Sequence, residues 1–395
     1  MPPPQQHQNL EGSENGVSDP LLVTLGMCIL DDLYLPNSTS QLGIVGGSGV
    51  FCIVGARLFL PSKGKLSKKL AWIIRAGDNF PENVESELRG WETDLEIRKT
   101  EGQEVSCTRG ELRYESVDGK VDMKYAHLRS PAKIYKYISG PYRILPSHLS
   151  VRQLSSSTYH FLTSPLDTAV QVPELLKRRE EVGILEKPLI MWEPIPLACN
   201  SGELENLLEV LEMRQVGLWS PNHVELGKFW GEKLDEGKFT RQRVESLAGK
   251  VREDIGKRGK GNRMDMEMII VVRCGEEGCC VWSRKEKRWV WIEAFHRDGS
   301  KVIDATGAGN AFLGGFAVGW KGSGGDEVVG CVVGSVAAGV ICEGLGAPKL
   351  DLREDGDESW NGLVSRERLE EYWARLRETG VVDGSLENQW CLERV

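Results

Sequence analysis

Asp304-Ala305-Thr306-Gly307-Ala308-Gly309-Asn310, followed by Ala311-Phe312-Leu313-Gly314-Gly315-Phe316, is the stretch on which the reading of this chain turns. Small residues alternate with glycines ahead of an apolar run, so the backbone can turn sharply and enter a helix with its first N–H groups exposed. Unpaired amides at a helix N-terminus, reinforced by the helix dipole, suit a phosphate or a developing negative charge, and glycines let that charge approach the main chain. The same heptapeptide also reads as a plain glycine-rich loop capped by Asn310, and the residues alone do not choose between the two.

Outward from this stretch the chain has the rhythm of an α/β protein. Upstream, short apolar runs such as His160 to Thr163, Pro188 to Trp192 and Met268 to Val272 alternate with charged helical stretches, which implies a parallel sheet covered by helices. Downstream, Asp326 to Ile341 is apolar and rich in small residues, as in a buried helix, and residues 365 to 379 suit a charged C-terminal helix. Leu21 to Asp32 reads as a first central strand with Asp31 and Asp32 at its end, and Gly46-Gly47-Ser48-Gly49 opens a helix running to about Leu60. The latter is a poor dinucleotide fingerprint: Cys52 holds the third glycine position, and no acid follows about 20 residues later to meet a ribose. Asn222 followed by Glu225 has the spacing of a capping box that would begin a helix.

The heptapeptide resembles the signature of the ribokinase-like, or PfkB, carbohydrate kinases. That signature ends in Gly-Ala-Gly-Asp, whereas here the last residue is Asn310. Three further stretches match the family in order: the Gly46-Gly47 pair, Asn222-x-x-Glu225, and the strand-turn-strand around Gly275 and Gly278. Asn310 and the aromatic Phe51 after the glycine pair place the resemblance nearest the branch named after fungal maintenance-of-killer proteins. The resemblance implies a three-layer αβα fold with a mostly parallel central sheet and a small β lid, formed by half-exposed strands between about 95 and 128. It implies ATP and Mg2+ as cofactors, and a small sugar-like or nucleoside-like substrate.

Carried over residue by residue, Gly307, Ala308 and Gly309 would stabilise the transferring charge, with Asn310 at the place of the general base. Asp31, Gly46 and Gly47 would meet the substrate. Asn222 and Glu225 would hold hydrated magnesium through water, and Thr306, Gly275 and Ser335 would line the nucleotide. Two departures stand out: an amide cannot take a proton at neutral pH, and Phe51 replaces an asparagine that contacts sugar. Two functions therefore compete, a phosphotransferase in which Asn310→Asp raises the rate, and a pseudokinase that binds nucleotide or sugar in a regulatory or structural role. An NAD-dependent enzyme is disfavoured by the missing acid.

With 395 residues, 40% of them hydrophobic and 27% charged, the chain can form one large domain from about 20 to 350, with a charged insertion near 235–267 and a C-terminal helix and tail over 351–395. Residues 1–19 are polar and rich in Pro, Gln and Gly, the composition of a disordered tail. A net charge of −9 argues against nonspecific nucleic-acid binding. No long uncharged apolar run or basic leader is present, so the expected location is cytoplasmic with no membrane contact. A homodimer, if formed, is expected through the lid.

Overall fold

The computed structural model describes residues 18–34, 40–99, 107–114, 133–234, 238–258 and 268–382. The expected N-terminal tail up to residue 17, much of the 95–128 region and the basic run after Arg258 lie outside these residues. The first half of the chain forms β1 (Leu22–Thr24), β2 (Ile29–Tyr34), β3 (Gln41–Gly46), α1 (Ser48–Arg57), β4 (Leu70–Ala76), α2 (Glu82–Gly90), β5 (Asp94–Lys99), β6 (Arg109–Tyr114), β7 (Lys133–Ser139), α3 (Val151–Leu154) and β8 (Thr158–Thr163). It continues with α4 (Pro165–Glu181), β9 (Leu189–Pro194), α5 (Leu204–Glu212), β10 (Leu218–Trp219), α6 (His223–Phe229), α7 (Arg241–Arg258), β11 (Ile269–Arg273), β12 (Cys279–Ser283) and β13 (Arg288–Ile292). The last third is α8 (Ala308–Gly322), α9 (Glu327–Cys342), the hairpin β14 (Leu350–Leu352) and β15 (Glu358–Trp360), and α10 (Ser365–Glu378).

Among the described residues the central sheet runs β13-β12-β11-β10-β9-β8-β1-β4-β5. Neighbours from β11 through β5 pair in parallel, and only the β11–β12 and β12–β13 pairs are antiparallel. The strands are buried on both faces, so alternate side chains feed two cores. Leu70, Trp72 and Ile74 of β4 face a core shared with α1, α8 and α9, whereas Ala71 and Ile73 face one shared with α4, α5 and α7. This is the three-layer αβα arrangement with a mostly parallel sheet that the resemblance implies.

The second sheet, β3-β2-β6-β7, is the small one that the resemblance implies; β6 falls in the expected 95–128 stretch, whereas β2, β3 and β7 lie outside it. Leu21 to Asp32 is broken into β1 in the central sheet and β2 in the small sheet. The break falls beside Gly26, whose Cα is so close to Gly49 that a Cβ would lie 2.4 Å from the Gly49 nitrogen. Asp31 and Asp32 belong to the small sheet, where β2 pairs with β3 and β6. Residues 94–99, expected in the lid, instead form β5 at the edge of the central sheet, paired along its whole length with β4.

Helix α8 is the element that positions the site. It packs against α1 so closely that a Cβ on Gly55 would lie 2.2 Å from the Ala311 carbonyl oxygen, and one on Gly314 would lie 1.9 Å from that of Cys52. The glycines of the apolar run therefore serve backbone-to-backbone contact, and the N-terminus of α8 is fixed over the carboxyl ends of the parallel strands.

Candidate active site

Gly307 occupies the N-cap of α8 with φ 81°, the left-handed region that glycine enters without a steric penalty. Asp304 secures the approach to the turn, since its carboxylate accepts from the Thr306 nitrogen at 3.2 Å and the Thr306 hydroxyl at 2.9 Å. The first turn of α8 holds no acidic side chain, so nothing on the helix itself neutralises its positive end. Asn310 lies in that turn, and its Nδ2 donates to Glu193 Oε2 at 2.6 Å. A carboxylate can only accept here, so the contact fixes which arm of the amide is which and leaves the Asn310 oxygen as the acceptor on the other side.

Glu193 is the centre of a buried network assembled from the ends of four parallel strands. Its Oε1 pairs with Arg273 Nη1 at 2.8 Å, and its Oε2 lies 3.5 Å from His160 Nε2. His160 is wholly buried and shares a hydrogen bond of 2.9 Å with Thr24 Oγ1. Arg273 also donates through Nη2 to the Ser220 carbonyl at 2.8 Å and approaches Glu225 at 3.6 Å. Burial opposes ionisation of Glu193, but the Arg273 guanidinium, His160 and Asn310 outweigh it and hold its carboxyl below the usual range. His160 is raised to about 9: burial works against its charge, and the adjacent Cys52 and Glu193 overcome it.

The Arg273 guanidinium lies directly on the glycine turn. A Cβ on Gly309 would fall 1.7 Å from its Nη1 and 3.1 Å from Glu193 Oε1. Its Nε is buried with no hydrogen-bond partner among the described residues.

Asn222 and Glu225 form the reciprocal cap of α6. Asn222 Oδ1 accepts from the Glu225 nitrogen at 2.8 Å, and Glu225 Oε2 accepts from the Asn222 nitrogen at 2.8 Å. Burial lifts the Glu225 carboxyl to about 7, Arg273 opposing and Glu193 assisting. These are oxygen donors of the kind magnesium takes, already engaged in a cap, so they fit a cation held through water and not one ligated directly. Among the described residues no group of three or more His, Cys, Asp or Glu is arranged to hold a metal ion.

On the other side of α8 lies Asp31. Its Oδ1 is buried without a hydrogen-bond partner among the described residues, and burial, with Asp32 and Asp304 nearby, raises its carboxyl to about 7. Asp32 is spent on Arg109 at 2.7 Å and the Gly43 nitrogen at 2.9 Å. Gly46 and Gly110 enclose Asp31: a Cβ would come within 2.8 Å of Oδ2 at the first and 2.3 Å of Oδ1 at the second. Gly47, at φ 94°, is the N-cap of α1 and has no room for a side chain against the Met27 carbonyl. Phe51 wedges between the two halves of the site, its ring against Gly46 and so near Gly307 that a Cβ there would lie 2.1 Å from it. Where the family pattern has a polar side chain, the structure has an apolar partition.

Gly275 turns the chain after β11 with φ 58°. Ser335 sits on α9 with its hydroxyl donating to the Cys331 carbonyl at 2.8 Å, a buried side chain with no exposed polar edge. Arg113, one of the lid residues with reach, is turned to Glu111 at 2.5 Å and lies over the Tyr34 ring. A cavity of about 500 Å3 lined by Glu87, Gly90, Trp91, Ala347, Lys349 and Leu350 shares none of the site residues. The structure thus gathers Asn310, Gly307, Gly309, Asn222 and Glu225 around Arg273 and Glu193. These last two, with His160, are absent from the sequence-based candidates. A signal existed, since each is a charged or polar residue inside or closing an otherwise apolar buried strand.

A family model described as pfkB family carbohydrate kinase matches residues 198–349. Protein MAK32 of Saccharomyces cerevisiae is 30% identical over 360 residues, covering 89% of this chain and 92% of that protein. Among solved structures, ribokinase from Giardia lamblia superposes with a TM-score of 0.59 at 13% identity, over 91% of this chain and all of that one. Ribokinase from Cryptococcus neoformans in complex with ADP gives 0.57 at 15%, over 90% of this chain and all of that one.

Proposed function

The chain belongs to the pfkB family of carbohydrate kinases, on its maintenance-of-killer-like branch, and from that membership we propose that it transfers the γ-phosphate of ATP to a hydroxyl of a small sugar-like or nucleoside-like substrate. The observation that carries this reading is the N-terminus of α8: a left-handed glycine turn without an acid of its own, flanked on one side by a buried unpaired carboxylate and on the other by a cationic network. Asp31 accepts hydrogen bonds from substrate hydroxyls. The backbone N–H groups at Gly307, Ala308 and Gly309 meet the charge that grows on the transferring group, and Asn310 orients the attacking hydroxyl through its oxygen. Asn222 and Glu225 would hold Mg2+ through water, where it would supply charge neutralisation, while Thr306 and Gly275 border the nucleotide. Positioning and electrostatics supply most of phosphoryl transfer, so the amide at 310 slows the reaction without forbidding it.

Phe51 defines how the acceptor lies. Its ring removes a polar contact and offers an apolar face between Asp31 and the glycine turn, which suits a substrate with one polyol edge and one apolar face. The protein acts in the cytoplasm; no described helix is long and apolar enough to cross a membrane. Two copies join through the small sheet, whose exposed Leu42 and Ile138 would be covered in that pairing.

Mg-ATP-dependent ADP formation by the purified protein, measured against a panel of sugars and nucleosides, tests the reading. Substrate-dependent turnover supports it; ATP binding with no turnover on any acceptor supports the second reading, a pseudokinase. The tie between Asn310 and Glu193 favours that alternative, because it commits the residue at the base position to an internal partner.

A further inference from the structure

Helix α8 presents its positive end at Gly307–Gly309, and the Arg273 guanidinium is laid against Gly309. Two positive contributions converging on one spot repel each other unless an anion sits between or beside them. In this structure the anion is internal: Glu193 faces both Arg273 and the Gly309 turn. The arrangement is also incomplete. Arg273 uses Nη1 on Glu193 and Nη2 on the Ser220 carbonyl, leaving Nε buried without an acceptor among the described residues, so the guanidinium still has a donor to satisfy.

We propose that Arg273 is the ligand of the terminal phosphate in this site and the residue that selects a nucleoside triphosphate over a nucleoside, with Glu193 as the internal anion that the phosphate displaces. The inference rests on the nucleotide reading given above. When the phosphate enters over Gly309, it takes Nη1 of Arg273, and the Glu193 carboxylate retreats to His160 and Asn310, which already touch its other oxygen. Glu193 is therefore a competitor for the same cation, and it weakens nucleotide binding by the free energy needed to move it.

Titration of the purified full chain with ATP and, separately, with adenosine, followed by calorimetry, tests this on wild type, Arg273→Met, Glu193→Gln and the double variant Glu193→Gln/Arg273→Met. The double variant removes both charges, so it keeps a foldable control where Arg273→Met alone leaves a buried carboxylate unpaired; circular dichroism checks each fold. The amide oxygen that Glu193→Gln introduces can still accept from Asn310, so the effect of that variant isolates the charge. The expected result is that Glu193→Gln tightens ATP binding several-fold, and that both Arg273 variants weaken it by about 10- to 100-fold with adenosine affinity unchanged. Equal losses for ATP and adenosine, or none for either, overturn the assignment of Arg273 while leaving a nucleotide site. If neither wild type nor Glu193→Gln binds ATP or adenosine, the nucleotide reading fails and the assignment falls with it.

Discussion

Asn310 is legible in the sequence as the point where a proton acceptor has been lost, and the structure adds what the amide is doing instead. Its Nδ2 lies 2.6 Å from a carboxylate, so Asn310→Asp would bring two carboxylates into contact, and such a pair retains a proton between them. The simple expectation of a faster single variant therefore changes. Asn310→Asp alone should gain little at neutral pH, and Asn310→Asp/Glu193→Gln should exceed it by about ten-fold or more in single-turnover phosphate transfer; equal rates would show that the two groups do not share a proton. Asp31 gives a pH prediction. Its free carboxyl titrates near 7, and substrate hydroxyls that donate to it favour the ionised form, so binding tightens as pH rises through that value. From pH 6 to pH 8 the substrate affinity should rise about ten-fold, and Asp31→Asn should flatten the profile. Asp31, Asn222 and Gly307 can be found from sequence because each announces itself within a few residues. Glu193, Arg273 and His160 are marked only singly, as polar residues in apolar strands; their meeting is not legible, because strands far apart in the chain bring them together and no local spacing encodes it.

Helices are the easier elements to read. The apolar stretch from Asp326 becomes α9 with Asp326 as its cap, the carboxylate accepting from the Val328 and Val329 nitrogens, and the charged stretch at 365–379 becomes α10. Caps and periodicity are local, and they suffice. Membership of a sheet is not local: β2 and β5 both have strand-forming sequences, and the sheet each joins is set by its partners, β3 and β6 for the first and β4 for the second. The α1–α8 contact gives a prediction at this scale. Gly314→Ala places a methyl group where the Cys52 carbonyl already stands, and Gly55→Ala does the same to Ala311, so each should cost about 3 kcal/mol or more in urea unfolding. Because α1 carries Phe51 and α8 carries Asn310, any folded fraction should also lose substrate affinity. Gly249, on α7 with open space around it, is the control: Gly249→Ala should be neutral or slightly stabilising.

At the scale of the whole molecule, the C-terminal hairpin and α10 belong to the same core as α1, α8 and α9, with Trp360, Leu369, Tyr372 and Trp373 all buried in it. They are fastened by Arg57, whose side chain is wholly buried and donates to the Trp91 and Leu60 carbonyls and to both oxygens of Glu358, at 2.5 and 2.7 Å. Glu358→Ala should therefore cost about 3–5 kcal/mol, since it strands a buried cation, whereas Arg57→Met/Glu358→Leu should cost much less; thermal unfolding of the pair separates the two. Arg57 and its carboxylate are 301 residues apart in the chain. A ribosome has thus long since finished the first helix when the partner emerges, and throughout that interval the nascent polypeptide carries a cation whose final home does not yet exist. Every residue between the two must be made before α1 can settle, so a message cut short ahead of Glu358 leaves α1 as unfinished as the hairpin it lacks.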